Sequence, residues 1–151
     1  MSVSSVFAKN LGIPFARFRL EADETVDDSD KTITVPNGKK WRILWIWIEF
    51  TTTATTGNRR LRIDIRDTSN DVILAIISPF VQAESNTYFY VVLPGGFTPN
   101  TSAESGVQGY LPMPRELILP SGYNIRIYDQ NAVDASADDL IIQMAVLEVD
   151  E

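Results

Sequence analysis

Whatever chemistry this chain performs must be done without histidine or cysteine, because its 151 residues contain neither. That removes the commonest general base and the commonest metal ligand, and it rules out disulfides and thiolate metal sites. Ser-His and Cys-His catalysis are therefore closed. Carboxylates remain, and Asp64 with Asp67 or Asp138 with Asp139 lie close enough in sequence to be considered as acid/base pairs for sugar hydrolysis. Ser85, Ser105 and Ser121 have neither a Gly-x-Ser-x-Gly elbow nor a histidine partner. Gly95-Gly96 runs into a Thr/Pro/Asn-rich stretch rather than a helix, so it does not read as a phosphate cradle. The chain reads as non-enzymatic, with no catalytic residue, cofactor or metal assigned.

Two further groups of residues could bind rather than react. Six of the ten positions from Glu21 to Asp30 are carboxylates, which reads as a solvated loop, with a divalent-cation site as the alternative. No EF-hand spacing is present. Trp41, Trp45, Trp47, Tyr88 and Tyr90, or Phe97 and Tyr110, could stack saccharides, although aromatics alternating within strands are ordinarily core or interface. A net charge of −7 and a pI near 4.6 oppose attraction to nucleic acid or to an anionic membrane surface. The longest apolar runs, such as Val72 to Ile77, are far short of the roughly 20 residues needed for a spanning helix. The first residues lack a basic stretch followed by a long apolar block, so no secretory signal is expected and synthesis in the cytoplasm is.

The elements that would position these residues are announced by a motif present twice. Thr32–Ile43 and Glu116–Ile127 each read strand, Pro-x-Gly turn, strand, with Pro36/Gly38 and Pro120/Gly122 as the corners. Turn signals elsewhere separate strands expected near 15–20, 31–35, 40–50, 59–66, 71–78, 86–93, 115–119, 122–129 and 139–149. No helix of any length is expected. The prediction is a single all-β domain over 15–151, a jelly-roll-like β-sandwich of about eight strands, preceded by an extended arm over 1–14 that orders on assembly.

Leu61, Ile63 and Ile65 alternate with Arg60, Arg62, Asp64 and Arg66, the pattern of a strand with one face in the core and one in water. Trp41 to Phe50 and Leu140 to Val149 are apolar on both faces, and a two-sheet sandwich hides only one face of each sheet. Trp41, Trp45 and Trp47 are therefore expected to be buried together, in the core or between subunits. The second face calls for a partner subunit, or for cover by the arm or by the long 97–114 loop of the same chain. That loop is the expected contact surface, with Phe97 and Tyr110 as anchors and Leu111 and Met113 beside them. Phe7 and Phe15 are the candidate contacts on the arm side.

The stretch from Leu111 to Asp139, with its Leu-Pro-Ser-Gly-Tyr-Asn-Ile-Arg-Ile-Tyr-Asp core, resembles a segment of small structural proteins of tailed bacteriophages. The likeness is to capsid cement or decoration proteins, and Val35-Pro-Asn-Gly38 supports it more weakly. It implies a virion protein that binds the major capsid protein, as a homotrimer, and clamps the lattice. The alternative is a tail- or fibre-associated carbohydrate-binding sandwich.

Overall fold

A computed structural model describes residues 15–95 and 108–151, and the predicted arm and the first part of the predicted 97–114 loop lie outside the described residues. Among the described residues there are ten strands: β1 (Arg17–Asp23), β2 (Asp30–Thr34), β3 (Lys39–Thr51), β4 (Leu61–Arg66), β5 (Val72–Ile77), β6 (Thr87–Pro94), β7 (Gln108–Met113), β8 (Ile118–Leu119), β9 (Asn124–Asp129) and β10 (Asp139–Asp150). They form two sheets, β1-β10-β3-β6-β7, with β8 also pairing β3, and β2-β9-β4-β5. β7 falls inside the span expected to be loop, where it pairs parallel to β6.

The antiparallel pairs are nested, β4 with β5 innermost, then β3 with β6, β2 with β9, and β1 with β10. β10 with β3 and β9 with β4 join these pairs into sheets. A long hairpin rolled over itself gives this connectivity, so the fold is a jelly roll. The duplicated Pro-x-Gly motif makes two of its corners, one leading from β2 to β3 and one from β8 to β9. At each, the proline carbonyl accepts from the residue three positions on, Lys39 or Tyr123, at 3.2 Å. Gly38 and Gly122 occupy the left-handed φ (72° and 80°) that such a turn demands at its third position. The corners lie side by side: Val35 N–H donates to the Tyr123 carbonyl (2.8 Å), and Gly122 N–H donates to that of Val35 (3.1 Å).

Between the sheets lies one core, built from the inward residues of both: Ile46, Ile48, Phe50, Tyr90, Val92, Leu111, Leu140, Ile142 and Met144 from one, Leu61, Ile63, Ile65, Ile125 and Ile127 from the other. In β4 Leu61, Ile63 and Ile65 do face the core, but the other face is not in water as expected: Asp64 is 1% exposed, covered by its partners Arg62 and Arg66. β3 is different. Its pairing with β10 skips Leu44, since Val146 faces Ile43 while Ala145 faces Trp45. This bulge reverses the phase of the strand. Trp41 and Ile43 point into the core before it, and Ile46, Ile48 and Phe50 do so after it. The expectation that Trp41, Trp45 and Trp47 share a buried face is thus corrected: Trp41 is 1% exposed, and Trp45 and Trp47 stand half-buried on the outside of the sheet.

Candidate interaction surface

Of the carboxylates that sequence spacing put forward for catalysis, Asp64 and Asp138 are each paired with arginine. Asp64, nearly fully buried, accepts from Arg62 (2.6 Å), Arg66 (3.3 Å) and the Tyr128 hydroxyl (2.9 Å). Burial alone would raise its pKa, but the two guanidinium groups and the phenol outweigh this and hold it below the ordinary carboxylate value. Asp67 accepts from the amides of Ser69 and Asp71 and shapes a turn. Asp138 forms a forked pair with Arg59, at 2.8 and 3.1 Å, both side chains being 0% exposed. Arg59 also donates to the carbonyls of Thr55 and Gly57, while Asp138 accepts from the Thr53 amide at 2.7 Å. The pair ties the β3–β4 loop to the approach to β10.

The acidic run has a centre as well. Lys31, on β2 and 3% exposed, points its ammonium back into the loop, donating to the Thr25 carbonyl and to Asp27, with Asp28 at 3.6 Å and Asp23 at 3.7 Å. Burial would lower the pKa of Lys31, and the surrounding carboxylates raise it by more. Asp139 adjoins the cluster, its own carboxyl pushed up by burial and pulled back by Lys31. The loop is therefore neither simply solvated nor arranged around an external cation, because a lysine supplies the positive charge at its centre. Among the described residues no cluster of three or more metal-ligating side chains is present.

What the geometry does assemble is a surface. The outward side of the β2-β9-β4-β5 sheet is polar where β2, β9 and β4 cross: Arg62 and Arg126 flank the Tyr128 ring at 5.9 and 4.1 Å, and Arg126 pairs with Asp30. The outward side of the other sheet carries an apolar patch, interrupted by Arg42, Glu49 and Gln143. Register places Phe18 beside Leu147, Leu20 beside Ala145 and Trp45, and Trp47 beside Val91, which is beside Tyr110. Trp47 stacks on Phe89 with centroids 5.9 Å apart. On edge strand β1, Arg19 and Glu21 take the side of Glu148, Arg19 pairing with both (2.8 and 3.0 Å), and Phe18 and Leu20 stand on the opposite side, 44% and 62% exposed. Ala16, Leu147, Leu44 and Val149 form a second small cluster on this same outer side.

Of the contacts expected from sequence, Phe7 and Phe97 lie outside the described residues. Phe15 is exposed where β1 begins, and Tyr110 is 38% exposed on the apolar face. Leu111 and Met113 are corrected: β7 turns them into the core, where they are 1% and 3% exposed, because its alternate residues must fill the space under β6. Trp41, Tyr88 and Tyr90 are likewise core residues and form no saccharide platform. Leu147 belongs to the second apolar face expected of the last strand, while Phe18, Leu20, Phe89 and Val91 are additions of the structure. The alternation of Phe18, Leu20 and Ala22 with Arg17, Arg19, Glu21 and Asp23 was the available signal, and it needed only the knowledge of which side was core.

No protein-family model matches the sequence, and no curated protein matches it. Among solved structures, the chain is similar over 87% of its length to a chain of infectious bursal disease virus Gx strain, at 10% identity and a TM-score of 0.32. It is similar over the same share to the VP2 subviral particle of infectious bursal disease virus, at 12% identity and a TM-score of 0.28. The chain spans about a third (32%) of the length of each. Superposition at that level assigns neither kinship nor role, and the all-β jelly-roll sandwich stands on the strand pairing itself.

Proposed function

We propose that this chain is a non-enzymatic virion structural protein that binds a repeating protein surface, as a capsid cement or decoration protein does. The observation that carries the reading is the apolar outer face of the β1-β10-β3-β6-β7 sheet. Five strands at about 4.8 Å spacing and six residues at about 3.3 Å rise make the whole face, Glu49 and Gln143 included, on the order of 400 Å². That is within the range of the largest patch on a typical monomer, and about half of the roughly 800 Å² that each partner contributes to a specific interface. The remainder would come from Phe15 and from residues 1–14 and 96–107, whose chain ends join β1, β6 and β7 of this same sheet. The proposed partners are the major capsid protein and two further copies of the chain in a trimer. Occupancy of an assembled lattice stabilises that lattice by mass action.

The test is to add purified chain to capsids stripped of it and measure co-sedimentation and heat resistance, for wild type and for a Phe18→Asp, Trp45→Arg double variant. The reading expects saturable binding by wild type, a raised disruption temperature, and loss of both in the variant. Binding that survives the double substitution, or no binding at all, overturns it. One observation favours a second reading: Trp45 flanks a groove of about 410 Å³ together with Phe18, Glu24 and Gln143, an aromatic ring next to polar groups. A glycan array that retains wild type but not Trp45→Ala would replace the capsid reading with carbohydrate binding.

A further inference from the structure

Each sheet of an open sandwich has two edge strands, and three of the four here carry features that discourage further pairing. β1 bears Arg17, Arg19, Glu21 and Asp23, β2 is five residues long with Asp30 and Lys31, and β7 contains Gly109 and Pro112 and is followed by Pro114. Charge, shortness and proline are the usual protections of an exposed edge. β5, the edge of the β2-β9-β4-β5 sheet, has none of them: its sequence is Val-Ile-Leu-Ala-Ile-Ile, without charge or proline. The pairing with β4 skips Ile73, since Leu74 faces Ile65 while Val72 faces Arg66, so a bulge sits at Ile73 and the regular strand runs from Leu74. Ile73, Ala75 and Ile77 are on the exposed side and Leu74 and Ile76 are half-buried, with Ile73 53% and Ile77 41% exposed.

We infer that β5 pairs edge to edge with β5 of a second copy, antiparallel about a two-fold axis at Ala75. This does not rest on the virion reading. The strand is self-complementary in that register. Ile73 faces Ile77 of the second copy, Leu74 faces Ile76, and Ala75 faces itself, so every opposed pair is apolar and on one side of the sheet. At the ends Asp71 meets Pro79, so no charge opposes a like charge. The result is one continuous sheet of eight strands. Below β5 the space between the sheets opens into a groove of about 590 Å³, lined by Leu74, Ile76, Pro79, Leu111, Met113 and Arg115 among others. In the paired arrangement the inward Leu74 and Ile76 of the second copy extend the core over this hollow. An isologous contact of this kind closes on two copies and does not polymerise.

Since the chain has no cysteine, Ala75→Cys introduces a single thiol. Opposed residues of an antiparallel pair have Cα atoms about 4.5–5.5 Å apart, within the range a disulfide bridges. The expected results are four. Analytical ultracentrifugation of the wild type shows concentration-dependent even-numbered association. Ala75→Cys oxidises to a covalent dimer at least tenfold faster than Ile118→Cys, whose parent side chain is 52% exposed on the other sheet. An Ile73→Lys, Ile77→Lys double variant, which sets lysine against lysine, abolishes the association while keeping the circular dichroism of the fold. Mixing Ile73→Lys with Ile77→Glu restores it by pairing unlike charges. A wild type that is monomeric at millimolar concentration, a lysine variant that still associates, or equal oxidation of the two cysteine variants overturns the inference. A monomer in which Ile73→Lys lowers stability would place the chain's own residues over this edge instead.

Discussion

Replacing Asp138 by alanine should be among the most damaging single changes in this fold. Asp138 and Arg59 are both fully buried, and the carboxylate makes both of the charged contacts that the guanidinium has. Truncation leaves a positive charge in the interior holding only the carbonyls of Thr55 and Gly57 and the Thr53 hydroxyl, and removes the acceptor of the Thr53 amide. Breaking a buried pair from one side costs about 3–5 kcal/mol. For a chain of this size, about 2–4 °C per kcal/mol makes this a fall in Tm of roughly 6–20 °C. With a urea m-value of about 2 kcal/mol/M, the midpoint should move by about 1.5–2.5 M. The assay is urea unfolding followed by tryptophan fluorescence. Asp134→Ala, which removes only the acceptor of the Thr53 and Thr55 hydroxyls, is the comparison and should cost about 1 kcal/mol. Replacing both partners with Arg59→Met and Asp138→Leu should cost less than Asp138→Ala alone, because no unpaired charge remains. An Asp138→Ala cost below about 1 kcal/mol would refute the assignment of this pair as the tie between the two loops.

Other substitutions separate the faces of the sandwich and its charge centres. Trp41→Ala should cost about 3–5 kcal/mol, since it empties a core site and strips Glu148 of the indole N–H at 2.9 Å. Trp45→Ala and Trp47→Ala should each cost about half of that by urea unfolding, because both stand half-buried on the outer face. Lys31→Met should destabilise by about 1–3 kcal/mol, and by less at a pH low enough to protonate Asp27, whose carboxyl Lys31 holds below the usual carboxylate range. The Asp64 carboxyl is depressed in the fold, so its stabilisation is complete above the unfolded value of about 4 and is lost as pH falls through the folded one. Unfolding of Asp64→Asn should accordingly show a shallower loss of stability below about pH 4 than wild type. Gly122→Ala should cost about 1–2 kcal/mol, because its φ is +80° and a Cβ would meet Thr68 at 3.0 Å.

Much of the jelly roll could be read from the amino acids. The duplicated Pro-x-Gly corners, the alternation in Leu61–Arg66 and the turn signals locate nine of the strands to within a few residues. β7 was hidden because Gly109, Pro112 and Pro114 give it the composition of a loop, and only its parallel partner β6 makes it a strand. The two-faced appearance of Trp41 to Phe50 had a local cause that periodicity does not reveal. The bulge at Leu44 changes which alternate residues face inward, and no residue type there announces it. In β10 the apolar outer residues Ala145 and Leu147 do reflect a real second apolar face, covered in part by Ala16 and Leu44. The surface itself was half legible. Tyr110 does stand exposed on the outer face, while Leu111 and Met113 turn into the core because a strand, unlike a loop, fixes which side its alternate residues take. The role of Lys31 in the acidic run was invisible, since it depends on a side chain folding back across four residues toward Asp27.

The claim at the centre of this account is that the apolar outer face of the β1-β10-β3-β6-β7 sheet is a contact surface in the working assembly. Hydroxyl-radical footprinting, read by mass spectrometry on the free chain and on the chain bound to particles, tests it residue by residue. The account predicts strong protection on binding at Phe18, Trp45, Trp47 and Tyr110, with Tyr128 on the polar face of the opposite sheet unchanged. Equal labelling of the four residues in the free and bound chain, or protection confined to the Tyr128 side, would contradict it.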